Sequence, residues 1–180
     1  MSNIKLISDL TKNRLFTGLI SLLLIATLLE SCGVYSFTGA SITPGVKTVS
    51  IQYFPNRASV AQPTLSQIFT DKLKEKFVSQ TSLIQVNQSG DLRLEGYITD
   101  YTVQPTAIQS TDVAALNRLT ITVHVKFENM KDEKQNFETN FSRYADFDAR
   151  KDLASVESSL MNNISSQLVD DIFNKSVVNW

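Results

Sequence analysis

Apolar and polar side chains alternate along several segments after residue 46. In residues 118–129, every second side chain from Leu119 to Phe127 is apolar, and the side chains between them, from Thr120 to Lys126, are polar. A period of two is typical of a β-strand with one buried face. The pattern and its flanking turn residues predict strands over 47–54, 83–86, 91–103, 118–129 (beginning as early as Asp112) and 135–147.

The pattern makes a specific prediction at two positions within these strands, Tyr53 and Gly96. In the first strand Val49, Ile51 and Tyr53 occupy the apolar positions, which places Tyr53 on the buried side. Gly96 interrupts the third strand. A glycine inside a strand predicts a bulge or a close approach of another backbone.

Two segments change to a spacing of three and four residues, which marks one face of an amphipathic helix. It predicts helices over 62–80 and from Asp152 to about Asn174. Pro63 falls in the first turn, where proline is tolerated, and Asp148 or Asp152 is expected to cap the second helix. We interpret both apolar stripes as core. They consist of Leu65, Ile68, Phe69, Leu73 and Phe77 in one helix, and Leu153, Val156, Leu160, Ile164, Leu168 and Ile172 in the other.

This order of elements predicts an α+β fold. Helices with one apolar stripe and a sheet with one apolar face bury each other as two layers. We expect a two-layer sandwich in which a mostly antiparallel sheet of about four strands packs against the two helices. No internal repeat or break in composition follows residue 47, so residues 47–180 are predicted to form a single domain.

The first 31 residues have the layout of a secretory signal. Lys5, Lys12 and Arg14 precede an apolar run over residues 16–29, and a basic segment followed by such a run is typical of a signal peptide. The run is shorter than the ~20 apolar residues of a spanning helix. We therefore predict that residues 1–31 are removed.

The apolar run ends in Leu29-Glu30-Ser31-Cys32-Gly33. Leu29, Ser31 and Cys32 match the lipobox of bacterial lipoproteins, whereas Glu30 stands where that motif has a small residue. The resemblance implies that Cys32 carries a diacylglycerol and becomes the mature N-terminus. The alternative is a core cysteine in a transmembrane anchor, which the length of the run disfavours.

The residues after Cys32 bear on where the protein is attached. Residues 32–46 contain three glycines and a proline, and we expect an acylated N-terminus and tether there. Gly33 stands where an aspartate would favour the inner membrane, so the resemblance to lipoproteins implies the outer membrane. No acidic run follows Cys32, and by the same resemblance this argues against display on the outer face of that membrane and for the periplasmic side.

Composition and charge exclude some classes of protein. Hydrophobic residues make up 42% of the chain and charged residues 19%, as in a globular protein. Of the 17 basic and 18 acidic residues, 14 and 16 follow Cys32, which gives the mature chain a net charge of −2. This balance lacks the basic footprint of nucleic-acid binding. Cys32 is the only cysteine, so no disulfide can form within the chain.

Few residues in the sequence are suited to catalysis. His124 is the only histidine and lies on the polar face of its strand, which disfavours a catalytic triad or a histidine-based metal site. Asp146 and Asp148 could act as an acid–base pair, but capping and solvation explain them better. We expect no enzymatic activity, no metal and no cofactor.

Basic residues on the sheet are a possible contact for lipid phosphates. Arg93, Lys126 and Arg143 are expected on its polar face, and Arg118 lies beside them. Such residues can donate charge-assisted hydrogen bonds to phosphate. An ordinary solvated face is the simpler interpretation of each.

The mature chain, over about residues 32–173, resembles the LptE family of lipopolysaccharide-assembly lipoproteins, in the form found in Bacteroidetes-like bacteria. Each matching motif is generic by itself, and their order and spacing carry the resemblance. The motifs are Cys32–Gly39, Val49–Phe54, Leu65–Leu73, Gly96–Tyr101 and Arg118–Phe127.

The resemblance implies a two-layer α+β domain that catalyses no reaction. It implies a plug and assembly partner inside LptD, the large outer-membrane β-barrel that delivers lipopolysaccharide, and possible contact with lipopolysaccharide itself. No ligand-binding residue of the family can be carried over. One alternative is a periplasmic carrier of a lipid or small ligand, which would need an enclosed apolar pocket lined by the phenylalanine-rich strands. A hydrolase, the other alternative, would need a nucleophile–base pair.

Overall fold

The computed structural model describes residues 42–60, 62–106 and 115–177 of the chain. The predicted signal peptide 1–31, Cys32, the first part of the tether and Trp180 lie outside these residues, as does a start of the fourth strand at Asp112. In chain order the elements are β1 (Thr48–Ile51), α1 (Pro63–Gln80), β2 (Ile84–Val86), β3 (Leu92–Pro105), β4 (Leu116–Asn129), a 3₁₀ helix (Glu133–Gln135), β5 (Phe137–Asp148) and α2 (Leu153–Val177).

The predicted two-layer α+β sandwich is confirmed. The sheet has five strands in the order β2-β1-β3-β4-β5 rather than about four. β3, β4 and β5 form the expected antiparallel meander, whereas β1 is parallel to both β2 and β3. Parallel neighbours require a crossover connection, and α1 supplies one between β1 and β2. None of the described helices is long and apolar enough to cross a membrane.

The core lies between the helices and one face of the sheet. The apolar residues of β4 from Leu119 to Phe127 are fully buried and alternate with half-exposed polar ones. The core phenylalanines pack edge to face, with ring centroids 5.2 Å apart for Phe54 and Phe69 and 5.1 Å apart for Phe77 and Phe173. The opposite face of β3, β4 and β5, which we call the outer sheet face, is not covered by a described helix.

The backbone after β1 continues alongside β3. Gln52 N donates to Leu94 O at 2.9 Å, and Arg57 N donates to Ile98 O at 2.9 Å. The alternation of side chains changes within this segment: Phe54 is fully buried and Tyr53 is 53% exposed. The prediction that Tyr53 faces the core was therefore wrong, because the regular strand ends at Ile51 and the side chains beyond it no longer follow its period.

Gly96 marks a close backbone approach, one of the two outcomes predicted for it. A Cβ at this position would lie 2.0 Å from His124 O and 2.7 Å from Phe54 Cε1. The irregularity in the pairing of β3 with β4 lies elsewhere, between Ile98 and Asp100. Only a residue without a side chain lets β4 and the Phe54 ring come this close.

Predictions were made for both ends of α2. Its C-terminal end lies at Val177, beyond the predicted Asn174. The Asp148 carboxylate accepts hydrogen bonds from the backbone and guanidinium of Arg150, which hold the pKa of Asp148 well below its usual range. Asp148 thus stabilises the turn before α2. The backbone carbonyl oxygen of Asp152 accepts a hydrogen bond from Ser155 N at 3.1 Å.

The last residues of the predicted tether pack on the domain. Val46 is buried, and Ile42 packs against the core. Thr43 Oγ1 accepts a hydrogen bond from Asn129 Nδ2 at 3.1 Å. Residues 42–46 are therefore continuous with the domain rather than separate from it.

Asp91 ties the beginning of β1 to the beginning of β3. Its Oδ2 accepts hydrogen bonds from Lys47 N at 2.9 Å, Thr48 N at 3.1 Å and Thr48 Oγ1 at 3.0 Å. Hydrogen bonds to the charged carboxylate favour its ionised form. Those from Lys47 and Thr48 lower the pKa of Asp91 from 3.8 to about 2.

We expect Asp91→Asn to destabilise the protein at neutral pH. Because the folded protein depresses this pKa, the ionised group stabilises the fold above pH 3.8 and loses that effect as the pH falls toward about 2. Urea midpoints of the two proteins should differ most at neutral pH and converge over this window. Asp71→Asn, at an exposed helix position, is the control; a gap between native protein and Asp91→Asn that stays constant down to pH 2 would contradict the assignment.

Gly96→Ala should cost about 3 kcal/mol of unfolding free energy, at the upper end of the usual range for overpacking. The added methyl group would meet the backbone of β4, which cannot yield without separating the strands. Gly45→Ala is the matched control: Gly45 has φ +91° and open space around it, so only the conformational cost of about 1 kcal/mol is expected. Urea unfolding measures both, and equal losses would argue against the steric explanation.

Candidate functional site

The outer sheet face is polar along three long strands. Side chains directly opposite one another on neighbouring strands share a face, so the register of β4 decides which groups meet there. His124 lies opposite Tyr97 of β3 and Asn140 of β5. The remaining pairs that β4 forms with β5 on this face are Leu116 with Asp148, Arg118 with Asp146, Thr120 with Tyr144, Thr122 with Ser142, and Lys126 with Glu138.

Two cations on this face, Arg118 and Lys126, are paired with carboxylates. Arg118 donates to both oxygens of Asp146 at 2.7 and 3.0 Å, which raises the pKa of Arg118 and lowers that of Asp146. Lys126 Nζ lies 3.0 Å from Glu128 Oε1 and 3.1 Å from Glu95 Oε1. The hydrogen bonds that Lys126 donates to these two carboxylates, the one to Glu128 first, raise the pKa of Lys126.

Of the basic residues suggested for lipid phosphates, the register places Arg93, Lys126 and Arg118 on the outer face as expected, but not Arg143. Arg93 Nε donates to Gly90 O at 3.3 Å, near the start of β3. Arg143 does not lie on the outer face: it pairs with Ile121, a core residue, so its side chain points to the helix layer. There its guanidinium donates to both oxygens of Asp171 in α2 at 2.6 and 2.7 Å. The expectation for Arg143 was wrong: Arg143 alternates in step with Phe137, Phe141 and Phe147, which pack on the core, so the period of β5 assigns it to that side.

His124 is partly exposed and hydrogen-bonded on both ring nitrogens. Nδ1 lies 2.9 Å from Asn140 Oδ1 and Nε2 lies 2.9 Å from Glu138 Oε1.

The two aspartates considered as an acid–base pair have separate partners. Asp146 forms an ion pair with Arg118, and Asp148 forms one with Arg150. Within the described ranges, no three His, Cys, Asp or Glu side chains gather as a metal site requires.

A groove opens on the outer face where the segment after β1 runs beside β3. We call it the Tyr97 groove. Its volume is about 370 Å³. The Arg57 guanidinium lies 4.2 Å from the centre of the Tyr97 ring, and the His124 ring lies 5.0 Å from that centre. The groove is lined by Gln52, Tyr53, Pro55, Arg57, Glu95, Gly96, Tyr97, His124, Lys126 and Glu138.

The sequence did not reveal this groove. Tyr53 was assigned to the core, and Arg57 lies beyond the predicted strand 47–54. The parallel pairing that brings Arg57 to Tyr97 joins residues 40 positions apart and has no local signature. The one available signal was a tyrosine, Tyr97, in the polar register of β3.

A ligand carrier would need an enclosed apolar pocket, whereas the two largest grooves described on these residues are open to solvent. The core phenylalanines contact one another instead of lining a cavity, and Phe127 stacks on Phe137 with centroids 5.2 Å apart. A second groove, of about 480 Å³, lies between the first turns of the helices. It is an open groove with a largely apolar surface, lined by Gln62, Thr64, Gln67, Ile68, Ala154, Glu157, Ser158 and Met161.

A model of the family LptE, described as lipopolysaccharide-assembly, matches residues 46–176. The chain belongs to the LptE family. The match begins at Val46 and ends one residue before the end of α2, so it covers the described domain. Membership confirms the resemblance inferred from the order of motifs and connects this family member with lipopolysaccharide assembly.

Solved structures give weaker likenesses. The minor lipoprotein from Acinetobacter baumannii is 15% identical, with 72% of this chain and 91% of that one covered and a TM-score of 0.49. The rare lipoprotein B from Shewanella oneidensis is 19% identical, with 71% and 92% covered and a TM-score of 0.40. Since both scores are low, the family assignment rests on the family model alone. No curated protein matches the chain in sequence.

Exchanging the charges of Arg143 and Asp171 tests the side on which Arg143 lies. Arg143→Asp and Asp171→Arg should each lower the urea midpoint, because each places like charges between β5 and α2. The double variant should recover most of the loss. The same exchange at Arg118 and Asp146, on the outer face, is the matched control. It should leave the protection of α2 amides from hydrogen exchange unchanged. If the double variant did not regain the urea midpoint, Arg143 would not lie against Asp171.

Proposed function

We propose that this LptE family member is a non-catalytic outer-membrane lipoprotein that plugs an LptD-type β-barrel and helps it assemble during lipopolysaccharide transport. It is attached to the membrane through acylated Cys32, on the periplasmic side. In this proposal residues 1–31 are the signal peptide, 32–46 the acylated N-terminus and tether, and 47–180 the domain that enters the barrel.

The observation that carries the proposal is the family match over residues 46–176. It spans the part of the chain in which the core, the sheet and both helices are formed. Partnership with the barrel LptD follows from what the LptE family does. The order of basic segment, apolar run and lipobox supplies the anchor independently of that match.

The described domain has properties that suit a plug. Its phenylalanines fill the core, so the domain can block a lumen without offering a path through itself. The ion pairs Arg118–Asp146 and Arg143–Asp171 lie within the domain. Charges already paired cost less to desolvate against a partner than isolated ones. A non-catalytic role agrees with hydrogen-bonding partners that explain His124, Asp146 and Asp148 structurally.

The anchor would raise the local concentration of the domain at the barrel. Each buried methylene of an acyl chain contributes about 0.8 kcal/mol, and two chains hold a protein firmly where one does not. Confinement to the membrane makes the encounter with a barrel effectively intramolecular. Loss of the acyl chains should therefore weaken assembly even with an intact domain.

We expect the tagged full chain, purified from detergent-solubilised outer membranes, to bring down one large β-barrel and to incorporate labelled palmitate. Cys32→Ser should lose the label and reduce recovery of the barrel by about tenfold or more, because tethering typically contributes 10²–10⁴ in avidity. Ser31→Ala, next to the lipidated position, is the control and should retain both. Mass spectrometry identifies the barrel, and depletion of the protein should lower surface lipopolysaccharide. Recovery of no large barrel, with surface lipopolysaccharide unchanged on depletion, is the outcome that rejects the proposal.

A further inference from the structure

One edge of the sheet is a long strand with a single neighbour. The order β2-β1-β3-β4-β5 puts β2 and β5 at the two edges. β2 has three residues, whereas β5 has twelve, from Phe137 to Asp148. Among the described residues, β4 is the only strand that pairs with β5. Backbone N–H and C=O groups on the other side of β5, which we call the β5 edge, can therefore pair with a strand of another chain.

The β5 edge has few of the features by which proteins block such pairing. β5 contains neither proline nor glycine, and its register with β4 is unbroken from Phe137 to Asp148. No bulge in this pairing turns the strand away. A cation that points inward is another blocking feature, and Arg143 is one. Its charge is already paired with Asp171 at 2.6 Å, however, so it does not need water to balance it.

The alternation of side chains on β5 decides which strand fits. Odd-numbered residues face the helix layer and even-numbered residues face outward. A second copy of β5, antiparallel and in the same sheet, would match helix-side residues with helix-side residues and outward residues with outward ones. Each possible two-fold axis then fixes a register in which directly opposed side chains can be compared. Like charges directly opposite one another destabilise a strand pair.

Most long registers oppose like charges. An axis through Ser142 sets Glu138 against Asp146, and an axis through Arg143 sets that residue against its own copy. Two axes, through Phe141 and through Tyr144, each allow nine residues to pair without opposed like charges.

Net charge distinguishes these two registers. The axis through Tyr144 pairs residues 140–148, in which Asp146 and Asp148 outnumber Arg143, so each copy contributes a net charge of −1. The axis through Phe141 pairs residues 137–145, in which Glu138 and Arg143 cancel. Its opposed pairs are Phe141 with Phe141, Asn140 with Ser142, Thr139 with Arg143, Glu138 with Tyr144, and Phe137 with Ala145.

The neutral register also covers apolar rings. Phe137 and Phe141 are only half-buried against the core, and their ring centroids lie 6.1 Å apart. Around the axis through Phe141, this ring meets its copy on the helix side of the joined sheet, and Phe137 meets Ala145 of the second copy. Aromatic and apolar pairs of this kind stabilise neighbouring strands.

We propose that β5 pairs with β5 of a second copy of this chain, antiparallel about a two-fold axis at Phe141, so that two five-stranded sheets join as one. The inference rests on the sheet and goes beyond the proposed function. A single strand pair is small beside the ~1,200–2,000 Å² of a stable interface. The dimer is therefore expected to dissociate reversibly.

Antiparallel pairing places the two chain entries at opposite ends of the paired segment. Thr43 bonds to Asn129 and Gln135, just before β5. Eight steps of ~3.4 Å separate the ends of a nine-residue pairing. The nine residues 33–41 span up to ~30 Å when extended, so Cys32 anchors of both copies can enter one membrane.

Disulfide formation in the full chain, in isolated membranes, tests the axis. Cβ atoms of directly opposed residues lie ~4.5–5.5 Å apart, close to what a disulfide requires. Phe141→Cys should therefore give a disulfide-linked dimer on mild oxidation, well above the native chain, whose only thiol is Cys32. Tyr144→Cys tests the competing axis, and Val78→Cys, exposed on α1, measures random collision. Dimers from Tyr144→Cys instead of Phe141→Cys, or equal yields from all three variants, overturn the proposal.

Charge variants at Thr139 test the same register without removing an aromatic ring. Thr139→Glu would face Arg143 of the second copy twice and should tighten the dimer about three- to tenfold, whereas Thr139→Arg should weaken it by a similar factor. Sedimentation equilibrium of the full chain in density-matched detergent measures both, and the difference should shrink at high salt. Thr120→Glu and Thr120→Arg, away from the β5 edge on β4, are the matched controls for overall charge. Equal dissociation constants for the two Thr139 variants, or a native chain that stays monomeric at every concentration, overturn the proposal.

Discussion

The register of β4 is the constraint from which the rest of the domain follows. Its side chains alternate without interruption between a fully buried apolar row and a polar row from Leu119 to Phe127. A slip of one residue would move the apolar row to the outer face. Burial of that row against the helices therefore fixes the register of β4. This register places His124 opposite Tyr97 of β3 and Arg118 opposite Asp146 of β5.

The Tyr97 groove results from adding a parallel strand to this antiparallel frame. β1 and the segment after it lie beside β3, where the missing side chain of Gly96 makes room for Phe54. Because Phe54 turns inward, its neighbour Tyr53 turns outward. A packing requirement of the core thus produces an exposed aromatic residue on the other side of the sheet. Core packing and the candidate site are two consequences of one backbone arrangement.

Sequence reasoning succeeded where the signal is local. The periods of two and of three to four residues found the five strands, both helices and the α+β class, and Gly96 was correctly suspected of a close approach. It failed where the deciding contact is distant along the chain. The parallel partners of β1 and the change of face between Tyr53 and Phe54 depend on packing against β3 and α1. The side of Arg143 is a different kind of error: its charge suggested the polar face, although the period that it shares with Phe137, Phe141 and Phe147 already indicated the core side.

Charge pairing on the outer face has a consequence for any partner that covers it. A free lysine or arginine there would attract phosphates of many kinds and would be costly to bury. Arg118 and Lys126 instead carry their carboxylates with them, so a covering surface needs to supply hydrogen bonds rather than compensating charge. Hydroxyl and backbone amide groups of a partner are sufficient for that. The internal neutralisation of these two cations therefore lowers the cost of covering this part of the outer face with a surface that carries no matching charge.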